Sequence, residues 1–192
     1  MSRTVTSLRE RKRGKVAVEL DGEPWRVLPA AVVVRAELRV GRRLDRETAR
    51  LLARELRRAN ALGRATRALA ARDRSRGELT ARLDAAGVSA TARDEALGSL
   101  EAAGLLDDAR VAESRARALA RRGYGDAAIR ADLRQRRISS ESIAAALDEL
   151  EPEAERAARV LDGKERTATA LRRLASRGFS RDTIEELSIQ RD

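Results

Sequence analysis

The sequence predicts a mainly α-helical protein: three tandem three-helix repeats that form an elongated curved array, preceded by a small N-terminal region that contains a β-hairpin. Apolar residues recur at helical spacing from Leu44 onward, and no proline follows until Pro152. One short motif occurs three times in that part of the chain, as expected of a repeat protein. The turn signal Asp21-Gly22 between two short apolar segments predicts the hairpin.

Residues 1–43 are predicted to form the small β-containing region. Lys15–Leu20 alternates apolar and polar side chains closely enough for one strand. After the turn, Trp25–Leu28 can return as its partner, and Pro24 confines that second strand to a sheet edge because proline has no amide hydrogen. We expect Trp25, the only tryptophan of the chain, to anchor the core of this region.

The helical part is predicted to begin with a linking helix at 44–60 and to continue as repeats at 61–103, 107–150 and 151–189. Each repeat should have a leading helix, at 64–71, 108–121 and 153–161, followed by a helix pair. In the pair, two apolar residues end the first helix, a helix-stopping residue follows, an apolar residue fills the turn, and a serine caps the second helix. The three copies are Leu79, Leu83, Gly87, Val88 and Ser89; Ile129, Leu133, Arg137, Ile138 and Ser139; and Ala170, Leu174, Gly178, Phe179 and Ser180. Units of this size should stack on their neighbours because each buries little alone.

Helix starts are marked by residues whose side chains can accept a hydrogen bond from a free backbone amide. Ser75 and Glu78 form a capping-box pattern, in which each side chain accepts from the amide of the other residue. Single caps are expected at Asp45, Ser89, Asp107, Ser139 and Ser180.

Basic and acidic residues are segregated along the chain. It contains 41 Lys+Arg and 31 Asp+Glu, a formal net charge of +10. Residues 39–82 and 110–137 are strongly basic, whereas residues 83–109 between them are acidic. Because clustered like charge costs self-repulsion, the two basic blocks indicate a surface for a polyanion or an acidic partner. For any single arginine, the alternative is a solvated helix face with an acidic residue four positions away.

The residue types that are missing exclude several kinds of chemistry. The chain has no histidine, no cysteine and only one Trp, one Tyr and one Phe. A Ser-His or Cys-His nucleophile, thiol redox chemistry and an ordinary zinc site are therefore excluded. An enzyme would have to rely on carboxylates alone, so we expect a binding protein that needs no metal and no cofactor.

We expect a cytoplasmic protein that acts as a monomer. The first residues run directly into the basic segment 9–15 without the apolar stretch of a signal peptide. The densest apolar segment, 28–34, is far shorter than the ~20 residues that span a bilayer, so no membrane association is expected.

The most specific pattern covers the first and second repeats. Its central part reads Gly104-Leu105-Leu106-Asp107-Asp108-Ala109-Arg110-Val111-Ala112, then Arg121-Arg122-Gly123-Tyr124-Gly125, then Ile129-Arg130-Ala131-Asp132-Leu133-Arg134-Gln135 and Ile138-Ser139. Its upstream part reads Ala68-Leu69-Ala70-Ala71-Arg72-Asp73-Arg74-Ser75-Arg76-Gly77-Glu78-Leu79. Over about 64–150, the two parts in this order resemble the RecX family of bacterial recombination regulators. Residues 151–189 fit as a degenerate third repeat, and the β-containing region resembles the extra N-terminal region of longer members.

The resemblance implies a three-repeat helical protein that binds the RecA filament on DNA and inhibits RecA recombinase, ATPase and co-protease activities. It implies a role in DNA repair, recombination and the SOS response, with DNA contacted weakly and through the filament, and no catalysis of its own. It also assigns structural family-motif positions to Asp107, Asp108, Gly123, Gly125, Ile129, Leu133 and Ile138. The sequence departs from the family pattern with Arg137 for glycine, Val111 for phenylalanine and Arg115 for tyrosine.

Two parts of the motif have a structural and a functional interpretation. Asp107 can cap the first helix of the second repeat and Asp108 can interact with its dipole, whereas the alternative is a carboxylate metal site. Gly123 and Gly125 can end one helix and form a turn, whereas the alternative is a backbone nest that binds a phosphate. We favour the structural interpretation of both pairs.

Three clusters of arginines form the predicted contact surface for the RecA filament and its DNA. The residues are Arg72, Arg74 and Arg76; Arg110, Arg117, Arg121 and Arg122; and Arg130, Arg134 and Arg137. The i, i+4, i+7 spacing of the third cluster places its members on one helix face, and the first three members of the second cluster share a face of the preceding helix. A guanidinium can hold a carboxylate or a phosphate through two parallel hydrogen bonds.

Two other functions stay open beside a RecA-filament modulator. One is a stand-alone basic nucleic-acid-binding helical-repeat protein, and the other is an inert helical scaffold. Single-strand binders usually stack bases on aromatic side chains, which are scarce here, and acidic segments interrupt the basic ones. Tyr124 is the one exposed candidate for stacking, because Trp25 and Phe179 are expected in the core.

Overall fold

The computed structural model of the protein describes residues 3–161 and 167–189. The chain divides into two compact units, one of Met1–Ala71 with Thr80–Ala103 and the other of Arg72–Leu79 with Gly104–Asp192. The prediction of a mainly α protein with three three-helix repeats and an N-terminal β-hairpin region is confirmed. The elongated, curved form of the array stays a prediction.

The described residues form an N-terminal sheet and a succession of helices. The strands are β1 (Arg3–Arg11), β2 (Lys15–Leu20), β3 (Glu23–Pro29) and β4 (Arg43–Leu44). The helices are α1 (Ala30–Arg35), α2 (Arg46–Ala71), α3 (Arg76–Ala85), α4 (Ala90–Ala102), α5 (Asp108–Arg121), α6 (Asp126–Gln135), α7 (Ser140–Asp148), α8 (Glu153–Val160), α9 (Ala168–Ser176) and α10 (Arg181–Ile189). None of these helices is long and apolar enough to cross a membrane.

The strands form one antiparallel sheet in the order β3-β2-β1-β4. Asp21 and Gly22 make the two-residue turn between β2 and β3, with φ angles of 53° and 85°. Positive φ at both residues is what a hairpin turn of type I′ requires. β3 lies at the edge of the sheet, where Pro24 removes no ladder hydrogen bond. The predicted hairpin is therefore confirmed.

Trp25 does not anchor the core of this region, contrary to the prediction. The fully buried residues of the sheet and α1 are aliphatic and include Val5, Val18, Leu20 and Val32. Trp25 is only partly buried against them, and Cζ of Arg26 lies 5.5 Å from its ring centroid. The pairing of β2 with β3 shifts register here, because Val18 is opposite Arg26 whereas the next residue is opposite Pro24. Trp25 is the extra residue of a bulge, which takes it out of the inward-facing row.

A single helix occupies the segment where two were predicted. α2 is continuous for 26 residues, so the helix expected at 44–60 and the leading helix expected at 64–71 are one element. No proline interrupts this segment, and Gly63 is tolerated inside a helix at a cost of about 1 kcal/mol. Ala61 of α2 packs with Ala92 and Ala96 of α4, which makes a core of small side chains.

The repeated motif forms the same helix-ending turn in each copy. The amide of the apolar turn residue donates to the carbonyl of a leucine five residues earlier: Val88 to Leu83 (3.0 Å), Ile138 to Leu133 (3.2 Å) and Phe179 to Leu174 (3.2 Å). This Schellman turn needs a positive φ at the preceding residue, which a glycine provides in the first and third copies. Arg137 takes that position in the second copy with a φ of 60°, at a steric cost of roughly 1–2 kcal/mol.

All of the predicted helix caps except one are confirmed. The amide of Ser75 donates to Glu78 at 3.1 Å, and the amide of Glu78 donates to the hydroxyl of Ser75 at 3.1 Å. The side chains of Asp45, Asp107, Ser139 and Ser180 accept from the amides of Thr48, Arg110, Ser142 and Thr183. Ser89 precedes α4, but its exposed hydroxyl accepts no hydrogen bond from the helix, so this prediction is wrong. At an exposed position, water can replace the protein as partner of the hydroxyl.

Within the second unit, the third repeat is joined to the second by the N-terminus of α6, which lies on the turn between α9 and α10. The amides of Gly125 and Ala127 donate to the carbonyls of Arg177 (2.9 Å) and Gly178 (3.0 Å). The amide of Asp126, between them, donates to the carboxylate of Glu153 at the start of α8 (2.7 Å). We call this arrangement a docking contact: the N-terminus of the second helix of one repeat lies on the turn between the second and third helices of the next repeat.

A second docking contact forms at the start of α3. The amide of Arg76 donates to Oδ1 of Asp108, the first residue of α5, at 2.6 Å. Gly77 lies against the turn between α6 and α7, where an added Cβ would lie 2.4 Å from the Cβ of Arg137. Equivalent positions of the repeat thus make equivalent contacts, because Asp108 takes the place that Glu153 has in the other docking contact.

Candidate functional site

Asp107 and Asp108 begin the second repeat, and backbone amides engage both carboxylates. Oδ1 of Asp107 accepts from the amide of Arg110 at 3.0 Å and so caps α5. Asp108 accepts from the amide of Arg76 in a docking contact. Residues 3–161 and 167–189 contain no group of three or more His, Cys, Asp or Glu side chains that could hold a metal ion. The contacts agree with the structural interpretation of this pair.

Gly123 and Gly125 also have structural roles. Gly123 has a φ of 77° and ends α5 in a Schellman turn, in which the amide of Tyr124 donates to the carbonyl of Leu119 at 3.2 Å. A Cβ on Gly125 would lie 2.3 Å from the carbonyl oxygen of Gly178. The phosphate-nest interpretation is wrong, because the amides at the start of α6 already donate to protein acceptors.

The three apolar motif positions lie in the core of the second repeat. Ile129 and Leu133 are fully buried on α6, and Ile138 is buried in the turn that follows. They pack in one cluster with Ala112 and Ile143 from the neighbouring helices. These residues fix the position of α6, and with it the position of the arginines that α6 carries.

Arg110, Arg117 and Arg121 lie on α5 with exposed side chains, and their spacing places them on one face, as predicted. Arg117 lies 3.3 Å from Glu113, one turn earlier. Arg110 and Arg121 form no ion pair with another residue of 3–161 or 167–189. α5 therefore presents a row of guanidiniums that are only partly neutralised.

Arg130 and Arg134 lie on α6, but Arg137 does not, contrary to the prediction. α6 ends at Gln135, and Arg137 is the positive-φ residue of the turn. The single-face spacing therefore applies to two of the three residues, because the third occupies the helix-stopping position of the motif. Within the described part of the chain, none of the three forms an ion pair.

The exposed arginines of α5 form one row and Arg130 and Arg134 of α6 form a second. The two rows point to different sides of this helix pair. Arg115 of α5 and Asp132 of α6 face each other through two hydrogen bonds of 2.7 and 2.9 Å. Residues two positions apart lie on nearly opposite sides of a helix. Arg117 on one helix, and Arg130 and Arg134 on the other, are each two positions from this pair. The second repeat therefore presents two separate rows of positive charge.

Arg72, Arg74 and Arg76 lie in the segment that leads into α3. Nη2 of Arg72 lies 2.7 Å from Oε1 of Glu78, and the backbone of Arg76 takes part in a docking contact. Arg74 and Arg76 are half-buried. This cluster therefore contributes to local structure as well as to the charge of the segment.

Tyr124 is not the exposed stacking residue that the sequence predicts. It is half-buried against the core of the second repeat. Cζ of Arg122 lies 5.6 Å from its ring centroid, and Cζ of Arg177 lies 5.9 Å away. Both guanidiniums are at cation–π distance, so a nucleic-acid base would have to displace them. Arg122, one of the predicted contact residues, is engaged with this ring.

An ion-pair network that was not predicted from the sequence connects α3, α5 and α6. Besides its pair with Arg115, Asp132 accepts from Nε of Arg136 at 3.0 Å, and Nη1 of Arg136 lies 3.8 Å from Glu78. The hydrogen bond from Arg115 outweighs burial and holds the pKa of Asp132 below its ordinary value. The i, i+4 spacing of Asp132 and Arg136 could have indicated one pair, but the rest depends on tertiary contacts.

A buried arginine between the second and third repeats was also missed. Arg156 of α8 is 5% exposed. Its Nε donates to the carbonyl of Glu151 at 2.9 Å, its Nη1 donates to the carbonyl of Tyr124 at 3.1 Å, and its Nη2 pairs with Asp126. No sequence pattern marks it, because its acceptors come from two repeats.

Glu153 makes the docking contact at the start of α6 pH-dependent. Burial alone would raise the pKa of Glu153, but hydrogen bonds from Ser180, the Asp126 amide and Thr183 outweigh burial and leave that pKa below its ordinary value. The stabilisation that the Glu153 carboxylate provides is therefore complete at pH values above the pKa of this group in the unfolded chain. It is lost as the pH falls through the lower pKa of the same group in the folded protein.

We expect Glu153→Gln to lower the free energy of unfolding at pH 7 by about 2 kcal/mol, because it removes charge-assisted hydrogen bonds. The deficit relative to wild type should shrink as the pH falls below about 4.5, the ordinary pKa of this carboxyl group, and on through the lower pKa of the folded state, where the wild-type side chain also becomes neutral. Urea denaturation at several pH values measures this. Glu155→Gln, at an exposed site on the same helix, is the control. A deficit that does not change with pH would contradict the role of the carboxylate charge.

Several known proteins are similar to this chain in sequence and in fold. Residues 107–147 match the family model for the second three-helix domain of RecX. Regulatory protein RecX of Stenotrophomonas maltophilia strain R551-3 is 40% identical over 122 residues, which cover 58% of this chain and 75% of that protein. The RecX of strain K279a is 37% identical over the same shares. A crystal structure of regulatory protein RecX has a TM-score of 0.83 and 23% identity over 98% of this chain and 100% of that chain. The crystal structure of RecX from Lactobacillus salivarius has a TM-score of 0.61 and 19% identity over 71% and 97%.

The fold and the second repeat thus define a three-repeat helical protein with an N-terminal sheet. The names of the similar proteins describe them as regulatory proteins. The chain belongs to the RecX family. The matched domain coincides with the repeat that carries the two arginine rows. The two solved structures support the fold alone, because their identities to this chain are low.

Proposed function

We propose that this protein regulates the RecA recombinase by binding the RecA–DNA filament and inhibiting RecA recombinase, ATPase and co-protease activities. Membership of the RecX family supports the proposal at the level of a regulator. The observation that carries the rest is the pair of incompletely neutralised arginine rows on α5 and α6, within the domain that the family model matches. The protein would act in the cytoplasm as a monomer.

The chemistry of the two rows suits a filament of protein and DNA. Guanidinium groups bind both carboxylates and phosphates with two parallel hydrogen bonds, and a nucleoprotein filament offers both. Arg117 and Arg121 also line a cleft of about 220 Å³ together with Arg159 and Glu151. An acidic side chain of a partner could enter this cleft and meet more positive than negative charge.

The proposal is tested by measuring binding of the full chain to a preformed RecA filament on fluorescent single-stranded DNA, and to the same DNA without RecA. We expect at least 10-fold tighter binding to the filament. Equal and steeply salt-dependent binding to both would favour the stand-alone nucleic-acid binder and contradict the proposal.

The two arginine rows can be tested separately in this assay. We expect R110A/R117A/R121A and R130A/R134A/R137A each to weaken filament binding about 10-fold, because each removes three positive charges from the proposed contact surface. The matched control, R46A/R50A/R57A, removes three exposed arginines from α2. A similar loss in the control would mean that net charge, and not these rows, determines binding.

A further inference from the structure

The turn between β1 and β2 carries a dense run of basic residues that the proposed function does not use. Five of the seven residues from 9 to 15 are basic, and Glu10 is the one acidic residue among them. The basic residues, named the basic tip, are Arg9, Arg11, Lys12, Arg13 and Lys15. All five are exposed. They lie in the first unit, whereas the arginine rows of α5 and α6 lie in the second.

Most of the charge of the basic tip has no partner within residues 3–161 and 167–189. Nη2 of Arg9 lies 3.7 Å from Glu19, and the other four side chains form no ion pair with these residues. The register places Arg11 directly opposite Lys15, at the last rung of the β1–β2 ladder. Like charges in directly opposite positions destabilise a hairpin. An anion from outside the chain would remove this repulsion.

The backbone of the basic tip also holds an arginine where glycine or asparagine is favoured. Arg13 has a φ of 64°, in the left-handed region that is unfavourable for a residue with a Cβ. No intramolecular ion pair of its side chain compensates for this within the described chain. Backbone strain of this kind concentrates at functional sites. The turn is fixed in place, since the carbonyl of Gly14 accepts from the amide of Ala30 at 2.8 Å.

We propose that the basic tip binds the phosphate backbone of double-stranded DNA directly. β3 pairs with β2 as far as Lys15, so only the turn between Arg11 and Lys15 extends beyond the sheet, and the lysine and arginine side chains on and beside this turn can reach the phosphates that border a groove of B-DNA. The tip has no aromatic side chain on which the bases of a single strand could stack. It also lacks the apolar centre that is typical of a protein–protein interface. This binding does not depend on an action on RecA.

Fluorescence anisotropy of a labelled 20-base-pair duplex, with the full chain and no RecA, tests the proposal over a series of salt concentrations. We expect R11Q/K12Q/R13N/K15Q to bind at least 10-fold more weakly than wild type at about 100 mM salt. The slope of log K against log salt should fall by about 3–4, since each phosphate contact contributes about 0.9. The variant should be at least as stable as wild type, because asparagine tolerates the backbone of position 13 better than arginine.

The matched control is R46Q/R50Q/R57Q/R64Q, which removes four exposed positive charges from α2 of the same unit. We expect the control to lose less than 3-fold in duplex affinity. An equal loss in both variants would overturn the proposal, because binding would then follow net charge. Equally tight binding of wild type to poly-glutamate would also overturn it and assign the tip to acidic proteins. A failure here leaves the RecA proposal untouched, since RecA is absent from the assay.

Discussion

We expect Gly125→Ala to lower the free energy of unfolding by about 3 kcal/mol, although it adds one methyl group. The new Cβ would lie 2.3 Å from the carbonyl oxygen of Gly178 and from the amide nitrogen of Phe179. Both atoms belong to the backbone of a Schellman turn and cannot move aside cheaply. The clash costs about 1–3 kcal/mol, and the docking contact would also lose the hydrogen bonds from Gly125 and Ala127, each worth about 1 kcal/mol.

Urea denaturation followed by circular dichroism measures this loss, and Trp25 fluorescence localises it. Gly125 and its contacts lie in the second unit, whereas Trp25 lies in the first. The helical signal of the variant should therefore fall at lower urea, and the tryptophan transition reports separately how far the first unit is affected. The matched control is Gly98→Ala on α4, where an added Cβ meets nothing within 4 Å and a helical alanine is stabilising by up to about 1 kcal/mol. A Gly125→Ala protein as stable as wild type would contradict the docking contact.

The second large effect is expected at Arg156. Arg156→Met keeps much of the apolar volume but leaves the carboxylate of Asp126 and the carbonyls of Tyr124 and Glu151 without their donor. Removing one partner of a fully buried pair costs about 3–5 kcal/mol, and we expect about 2–3 kcal/mol here, because Asp126 is 34% exposed and water can partly solvate the carboxylate that is left without its partner. The transition midpoint in urea should fall accordingly. Arg156→Lys should recover only part of the loss, since one ammonium cannot reproduce the planar geometry of three guanidinium donors.

Two further variants separate this mechanism from a general loss of charge. Arg159→Ala removes an exposed arginine of α8 that pairs with Glu151, which precedes the helix, and we expect a change of less than 1 kcal/mol. Asp126→Asn in the Arg156→Met background should restore part of the stability, because it removes the uncompensated carboxylate. If Arg159→Ala were as damaging as Arg156→Met, burial would not be the cause.

Local sequence patterns predicted the local features of the fold. The caps at Asp107 and Ser139 and the capping box at Ser75 depend on hydrogen bonds within four residues, so the residue types suffice to predict them. The turn motif was found even where Arg137 replaces glycine, because the flanking apolar residues are repeated. The motif also placed Arg137 at the helix-stopping position, and the assignment of Arg137 to one helix face with Arg130 and Arg134 was wrong because it relied on spacing alone.

Contacts between distant segments could not be predicted in the same way. Gly77 and Arg137, or Gly125 and Gly178, approach each other only because whole repeats pack together. Trp25 was placed in the core on its size, but a one-residue bulge moved it to the periphery. A bulge depends on the register of two strands, which composition does not specify.

The sequence indicated which arginines belong to the candidate site, but not how these arginines are arranged in space. The spacing correctly assigned Arg110, Arg117 and Arg121 to one helix, but it could not indicate that the α6 row points elsewhere. Arg115 and Asp132 fix the relative orientation of the two helices, and their pairing joins residues 17 positions apart. The proposal that the protein regulates RecA therefore rests on the family and on the incompletely neutralised charge of both rows.

The most direct test of this account is the single-stranded-DNA-dependent ATPase activity of RecA, measured with increasing amounts of the wild-type protein. We expect inhibition at a substoichiometric ratio to RecA, because a regulator bound along a filament affects many subunits. Inhibition should weaken in R130A/R134A/R137A and persist in R46A/R50A/R57A. Unchanged ATPase activity at equimolar wild-type protein, with binding to naked DNA intact, would contradict the proposed regulation of RecA.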